Sequence, residues 1–486
     1  NVSVIDLRKR REVCHIPVQR EPVAAALTRD GKFLLAANHL PAVRADQDNV
    51  AAVVSVIDTK QYKVVKEIKL PSGSGSLHDI SVSPDGKYAV VTHTVSSFNW
   101  SATQIIFGWI HANALTIIDL EKMKIRYTVS LDEPDRGAAD PWGTAWSSDG
   151  KILAVAHAGT HEVSIIDFPK LLANLPDAAI GPGQRPPVNN PVLTFVSRNE
   201  GIDNVLPFLT GARERIKLPP GNLGPRALAI VGRKLYVANH YSDTINVINL
   251  DSPRSKIETI DLCGKQPMDI VQKGDFYFHD ADICFQGWQS CSSCHPGDAR
   301  SDGFDWDLPA ELGFGNPRHT KSLLLTYKTS GGSIPNGHPA PTISDRIKFL
   351  LFTNQPPDVS AAIDAYLKSL KPVPSPYLIR GNLSDAARRG EKLFQAAQCA
   401  SCHIPGLYTD SRLHDVGTRT SYDETTGSFS TPTLVEVWRT APYLHDGSAV
   451  TIRDVLTTRN PLGKHGDISH LNDQQIHDLC QYVLSL

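Results

Sequence analysis

Two copies of Cys-x-x-Cys-His carry the clearest chemistry in this chain: Cys291-Ser-Ser-Cys294-His295 and Cys399-Ala-Ser-Cys402-His403. The spacing lets two thiols add across the two vinyl groups of one porphyrin while the adjacent imidazole turns onto the iron. Two covalently bound haem c groups are therefore predicted, with His295 and His403 as iron ligands. A zinc site built from paired C-x-x-C would join motifs far apart in sequence and leave both histidines over. Redox C-x-x-C pairs seldom carry His directly after the second Cys.

The elements that position these motifs come from a chain of 486 residues, long enough for two or three domains, whose 41% hydrophobic content suits ordinary cores. Lys plus Arg number 49 against 51 Asp plus Glu, a formal charge of -2, so there is no basic footprint for nucleic acid. No run of about 18 apolar residues occurs, and no transmembrane segment is expected. The opening at Asn1, without Met or a leader pattern, suits a processed secreted protein or a fragment. Covalent haem attachment points to the periplasm or cell surface. Cys14, Cys263, Cys284 and Cys480 are free thiols or disulfide partners, and four cysteines allow three pairings.

The first half repeats a unit: an apolar strand, Asp-Gly, a second strand ending near His, a Val-Ile-Asp strand and a fourth strand. The turns are Asp30-Gly31, Asp85-Gly86 and Asp149-Gly150. Third strands read Val4-Ile5-Asp6, Val56-Ile57-Asp58, Ile117-Ile118-Asp119, Ile165-Ile166-Asp167 and Val247-Ile248-Asn249. Four short strands per unit describe a β-propeller blade, and five blades are recognisable, with others upstream left open. Strands within 2–18 are expected to complete the blade begun by 267–279, a closure that leaves no free edge. Insertions interrupt the rhythm at 168–211, which is Pro-rich, and at 95–111, which carries Phe98, Trp100, Phe107 and Trp109. The aromatic insertion either covers a binding funnel or buries itself on the blade below.

His39, His93, His157, His240 and His279 recur at or just beyond second strands, with His78 expected on the same face. Convergent imidazoles there would bind copper or another transition metal. Shared ancestry of the blades explains the same recurrence without a metal. Because the haem region begins right after His279, the haems are expected over this face.

Beyond His279 the pattern turns helical, with helices over Pro357 to Leu370, Asp385 to Ala397 and Asn472 to Leu486, and a Pro-rich linker at 371–376. Helix, C-x-x-C-H, loop and closing helix is the plan of a cytochrome c domain, here twice. The expected fold is multidomain: an all-β propeller over 1–279, then two mainly α cytochrome c-type haem domains over 280–376 and 377–486.

Several segments resemble the bacterial dihaem cytochrome c peroxidase and MauG superfamily, in a branch that carries YVTN-type propeller repeats. They are Gly390-Glu-Lys-Leu-Phe394, Ser430-Thr-Pro-Thr-Leu434, Thr440-Ala-Pro-Tyr-Leu-His-Asp-Gly447 and Asn316-Pro-Arg-His-Thr-Lys-Ser-Leu-Leu324. The resemblance implies that the first haem reacts with peroxide and the second relays electrons. It sets Trp306 near the haem edges, as an electron relay or as packing against a haem face. The family's peroxidases close the first haem with a loop histidine, and the stretch Gly297 to Asp307 has none. Where the family keeps a distal glutamate, the nearby candidates for general acid-base work are His338 and Asp345, with His338 alternatively binding the iron. The family's distal ligand position for the second haem falls near Arg459, which cannot ligate. His465 is the expected replacement, with His470 and His445 behind it.

The implied activity is peroxidase-like or MauG-like: hydrogen peroxide reacts at the first haem, with electrons from a small cytochrome c, a cupredoxin, or a substrate near the propeller face. The rival is an electron-transfer protein with two six-coordinate haems, its propeller serving as a docking or metal platform.

Overall fold

Four of the five Val-Ile-Asp-type segments become third strands of four-stranded antiparallel meanders, and Val4-Ile5-Asp6 lies in a two-stranded pair. The computed structural model describes residues 1–98, 108, 110–175, 209–264, 266–307, 317–329, 342–421, 423 and 427–486. Strands β1 (Val2–Asp6) and β2 (Arg11–Ile16) pair with each other. The first full sheet is β3 (Pro22–Leu27), β4 (Phe33–Asn38), β5 (Val53–Asp58) and β6 (Lys63–Lys69). The second is β7 (Ser74–Val82), β8 (Tyr88–Ser96), β9 (His111–Asp119) and β10 (Lys124–Ser130). The third is β11 (Pro141–Trp146), β12 (Ile152–His157), β13 (Glu162–Asp167) and β14 (Arg213–Lys217). The fourth is β15 (Pro225–Val231), β16 (Lys234–Asn239), β17 (Thr244–Asn249) and β18 (Glu258–Asp261). Helix α1 (Phe168–Asn174) opens the Pro-rich insertion before β14, and the rest of that insertion lies outside the described residues.

Each Asp-Gly turn is built alike. Thr28, Ser83 and Ser147 donate their hydroxyls to Asp30, Asp85 and Asp149 at 2.7, 2.6 and 2.6 Å. Each of these carboxylates also accepts a backbone N–H two residues on. Gly31, Gly86 and Gly150 take φ of 69°, 72° and 70°, the left-handed conformation that a side chain resists.

Alternation along the strands sends successive side chains to opposite neighbours. Val91 packs with Leu35 and Val54 of the first sheet, whereas Val90 packs with Leu153 and Val155 of the third. Ala154 and Val163 in turn meet Leu235 and Val237 of the fourth. The sheets therefore stack face to face, and their first strands touch in the order β3, β7, β11, β15. The β1–β2 pair extends the stack through Ile16, which packs against Ala36 and Ile57.

One expectation fails. Residues 267–279 supply no strand to close a fifth blade; Ile270–His279 is helix α2, and among the described residues β1 and β2 pair only with each other. Its start is fixed by a capping box of Asp269 and Gln272. The change of element thus comes at Ile270 rather than after His279, and α2 packs on the helix Pro357–Ser369 of the second half. Gly274 makes the crossing possible, since a Cβ there would run into the Ala362 carbonyl and Tyr366. The second haem region repeats the device where Asp385–Ala396 crosses Asp473–Leu484: a Cβ on Gly390 would meet the Asp478 carbonyl and Tyr482. Phe278 and Phe394, four residues after each glycine, are buried against Tyr366 and Tyr482. Both helical regions are the same packing unit.

Those two units have separate apolar cores, one around Phe278, Trp288, Ile363 and Tyr366, the other around Phe394, Leu479 and Tyr482. Arg300 and Glu436 join them through a fully buried ion pair of 2.6 Å. Arg20, just ahead of β3, donates to the carbonyls of Ala441 and Arg439. No two of the eight cysteines are joined as a disulfide.

Candidate functional site

The second C-x-x-C-H follows the helix Asp385–Ala396, whose start Ser384 caps. Cys399–Ser401 forms one 3₁₀ turn, bringing both thiols to one side ahead of His403. The Nδ1 of His403 lies 3.0 Å from the Tyr408 carbonyl, which leaves Nε2 as the free ligand nitrogen. Opposite it stands His465, with ring centres 6.4 Å apart and planes 24° from parallel. A metal–imidazole bond of about 2 Å on each side, with each ring centre about 1 Å beyond its nitrogen, requires a separation of about 6 Å. The observed ring separation matches that requirement. Burial holds both imidazoles below their ordinary pKa, His465 at about 4, so they are neutral as ligands must be. The Nδ1 of His465 is buried with no protein partner. The other candidates are engaged elsewhere: His445 stacks on Phe429 at 3.7 Å and bonds Asp423, Arg459 reaches Asp446, and His470 is exposed.

The first motif lies on the one-turn helix α3 (Cys291–Cys294), which the sheets hold from outside. Asp140, at the entrance to β11, accepts from Ser290 at 2.8 Å and from Ser293 at 3.2 Å. His111, the first residue of β9, places Nε2 3.3 Å from the Cys294 sulfur and is steadied by Ser96. Trp306 is buried with its ring 4.9 Å from that of His111, and its N–H donates to Asp302 at 2.8 Å. Burial lowers His295 to about 4 against backbone contacts from Arg300 and Lys321 that raise it, and its Nδ1 makes no hydrogen bond of good geometry among the described residues. No second imidazole stacks over His295 among the described residues.

The remaining predicted residues divide. His338 lies outside the described residues, as do Trp100, Phe107 and Trp109. Phe98 stacks on Phe304 at 5.2 Å, so that end of the aromatic insertion packs on the helical half rather than on its own blade. Asp345 spends its carboxylate on the Thr342 N–H and hydroxyl, capping the helix Ile343–Leu350, which corrects its expected acid-base role.

The recurrent histidines are engaged separately. His93 and His157 point Nε2 at Thr116 and Ser164 of the next strand, both at 2.7 Å. His39 bonds the Leu77 carbonyl, His240 is exposed, and His279 ends a helix rather than a strand. Among the described residues they form no three-ligand group. Second-strand positions lie between stacked sheets, where the nearest partner is a neighbouring hydroxyl. The sequence reading missed Asp140 and His111, because each acts on a motif more than a hundred residues away. The only local signal was their position, near strand ends on the face expected to meet the haems.

A model of the RoxA-like, cytochrome c-like family matches residues 428–462. MauG of Methylophilus methylotrophus is 25% identical over 325 residues, covering 54% of this chain and 95% of that protein. Hydrazine synthase subunit gamma of Kuenenia stuttgartiensis is 30% identical over 279 residues, 45% of this chain and 78% of that protein. The chain belongs to the MauG and cytochrome c peroxidase-like family. This MauG-like chain is also similar to hydrazine synthase subunit beta of the same organism, 27% identical over 253 residues, 51% of this chain and 58% of that protein. As a family member it is a c-type haem protein. Its buried imidazoles beside paired thiols, each lowered below its ordinary pKa by burial, fit that cofactor. Among the described residues the four motif cysteines do not gather into one zinc site.

Proposed function

We propose that this MauG-like chain is a dihaem c-type oxidoreductase, with peroxide reacting at the first haem and electrons relayed through the second. Its substrate is held where the first-half sheets meet the helical half. When bound, haem c supplies single-electron exchange and the reaction with peroxide. His295 and His403 would hold the irons, and His465 would be the second ligand of the one at His403. Cys291 and Cys294, Cys399 and Cys402 fix the porphyrins.

The observation carrying this reading is the asymmetry between the motifs: His403 has an imidazole opposite it, and His295 has none among the described residues. Trp306 and His111 lie beside the first motif and suit a path for electrons between its edge and the sheets. We read the stacked sheets as β-propeller blades, four complete and one contributing β1 and β2. Covalent haem supports a periplasmic or cell-surface location, with a small cytochrome c or cupredoxin as redox partner.

Electron paramagnetic resonance of the ferric protein tests the reading. One high-spin haem, consumed by one equivalent of hydrogen peroxide, is expected. Two low-spin haems inert to peroxide would leave an electron-transfer module instead.

A further inference from the structure

At the end of the sheets nearest the helical half, three residues from successive first strands meet. His78 of β7 stacks on Trp142 of β11, ring centres 3.7 Å apart and planes 15° from parallel. Arg226 of β15 lays its guanidinium over Trp142 at 4.2 Å and over Tyr241 at 5.1 Å. Trp142 and Arg226 occupy the same register: each follows a proline at its strand's start, where the pairing shifts, and such a shift re-aims a side chain. His39 lies 5.3 Å from His78, and His279 lies 6.1 Å from Tyr241.

Among the described residues no carboxylate lies within ion-pair distance of Arg226, although Asp140 and Asp275 both feel its charge. Among the described residues its one hydrogen bond runs from Nη2 to the Tyr241 hydroxyl at 3.0 Å, and its Nε is buried without a partner. The neighbouring carboxylates are engaged: Asp275 pairs with His279 at 3.2 Å, and Asp140 holds the serines of the first motif. Burial and the Arg226 charge push His78 well below its ordinary range. A fixed cation walled by flat rings, half-buried and unpaired, matches a planar anion, which offers it two oxygens and presents a face for stacking.

We propose that His78, Trp142, Arg226 and Tyr241 form a binding site for a small planar carboxylate. The site deepens the function proposed above, on which it rests as the place where a substrate is held, by naming the substrate's class. Arg226 binds the carboxylate, and Trp142, held between His78 and the guanidinium, fixes the direction in which the N–H groups of Arg226 face.

Calorimetric titration of the holoprotein with benzoate, and with its uncharged isostere benzamide, tests the site. One benzoate per chain is expected, with benzamide binding at least tenfold more weakly. Arg226→Gln should cost at least tenfold in benzoate affinity and Arg226→Lys less, with the Soret spectrum reporting an intact fold. Should the Gln variant not fold, Trp142→Leu should lower benzoate affinity at least threefold. Equal affinity for benzoate and benzamide, or benzoate affinity untouched by the substitutions, overturns the proposal. Peroxide consumption by the wild-type protein is measured separately. Benzoate binding without it keeps the site and removes the oxidoreductase reading.

Discussion

The carboxylate of Asp140, on the first-half sheets, accepts a 2.8 Å hydrogen bond from Ser290, the residue that caps the first haem-attachment helix. Both groups are buried, and Ser293 inside the motif bonds the same carboxylate. The sheets thus hold the first motif directly, while the second is framed by its own helices.

Removing that carboxylate should loosen the first motif alone. Asp140→Ala strands buried hydroxyls, and hydrogen bonds to a charged group are worth about 1.5–3 kcal/mol each. A loss of about 2–3 kcal/mol is expected in denaturant unfolding followed at the Soret band. Asp140→Asn should recover part of it.

The second haem should open when His465 is removed. His465→Ala is expected to convert one low-spin ferric signal to high spin, and added imidazole should restore it. His470→Ala should leave the spectrum unchanged, because that side chain is exposed and beside Asp467.

Burial pushes the Asp302 carboxyl up to about 6. The unfolded chain releases this proton near the ordinary Asp value of about 4. Between the two values the folded state binds more protons, so stability from this group is present below about pH 4 and lost as pH rises to 6. The loss is up to about 3 kcal/mol. Urea midpoints of wild type and Asp302→Asn, compared at several pH values, should diverge across that window, the wild type falling more steeply.

Breaking the Arg300–Glu436 pair should uncouple the two haem regions. Glu436 also accepts the Val373 N–H at 2.8 Å, so Arg300→Ala leaves a buried charge half satisfied. A cost of about 3–5 kcal/mol is expected. Replacing both partners by Met should cost less, as read by thermal unfolding.

The two glycine crossings should respond alike. Gly274→Ala and Gly390→Ala each force a methyl into a facing carbonyl, and overpacking of this kind costs about 1–3 kcal/mol. Each should lower the melting temperature of its own haem region, followed by circular dichroism with each haem's Soret contribution.

Much of the fold was legible along the chain. The Asp-Gly turns, the Val-Ile-Asp third strands and the helices near Pro357, Asp385 and Asp473 are local patterns, and the structure keeps them. The strand expected over 267–279 was misread because its apolar and aromatic residues suit either element. The decisive sign was Gly274-Asp-Phe-Tyr-Phe278, which matches Gly390-Glu-Lys-Leu-Phe394 in its glycine and last phenylalanine. That likeness gains meaning only once both glycines are seen against a facing helix.

The two attachment motifs were legible in the sequence, because Cys-x-x-Cys-His confines both thiols and the imidazole within five consecutive residues. What faces each iron was left to tertiary structure. His465 meets His403 from 62 residues away, Asp140 and His111 reach the first motif from the first-half sheets, and Arg226 meets Trp142 across two sheets. Covalent and turn geometry are short-range and leave a periodic trace. Opposition across a gap depends on how separately folded layers stack, and no spacing along the chain records it.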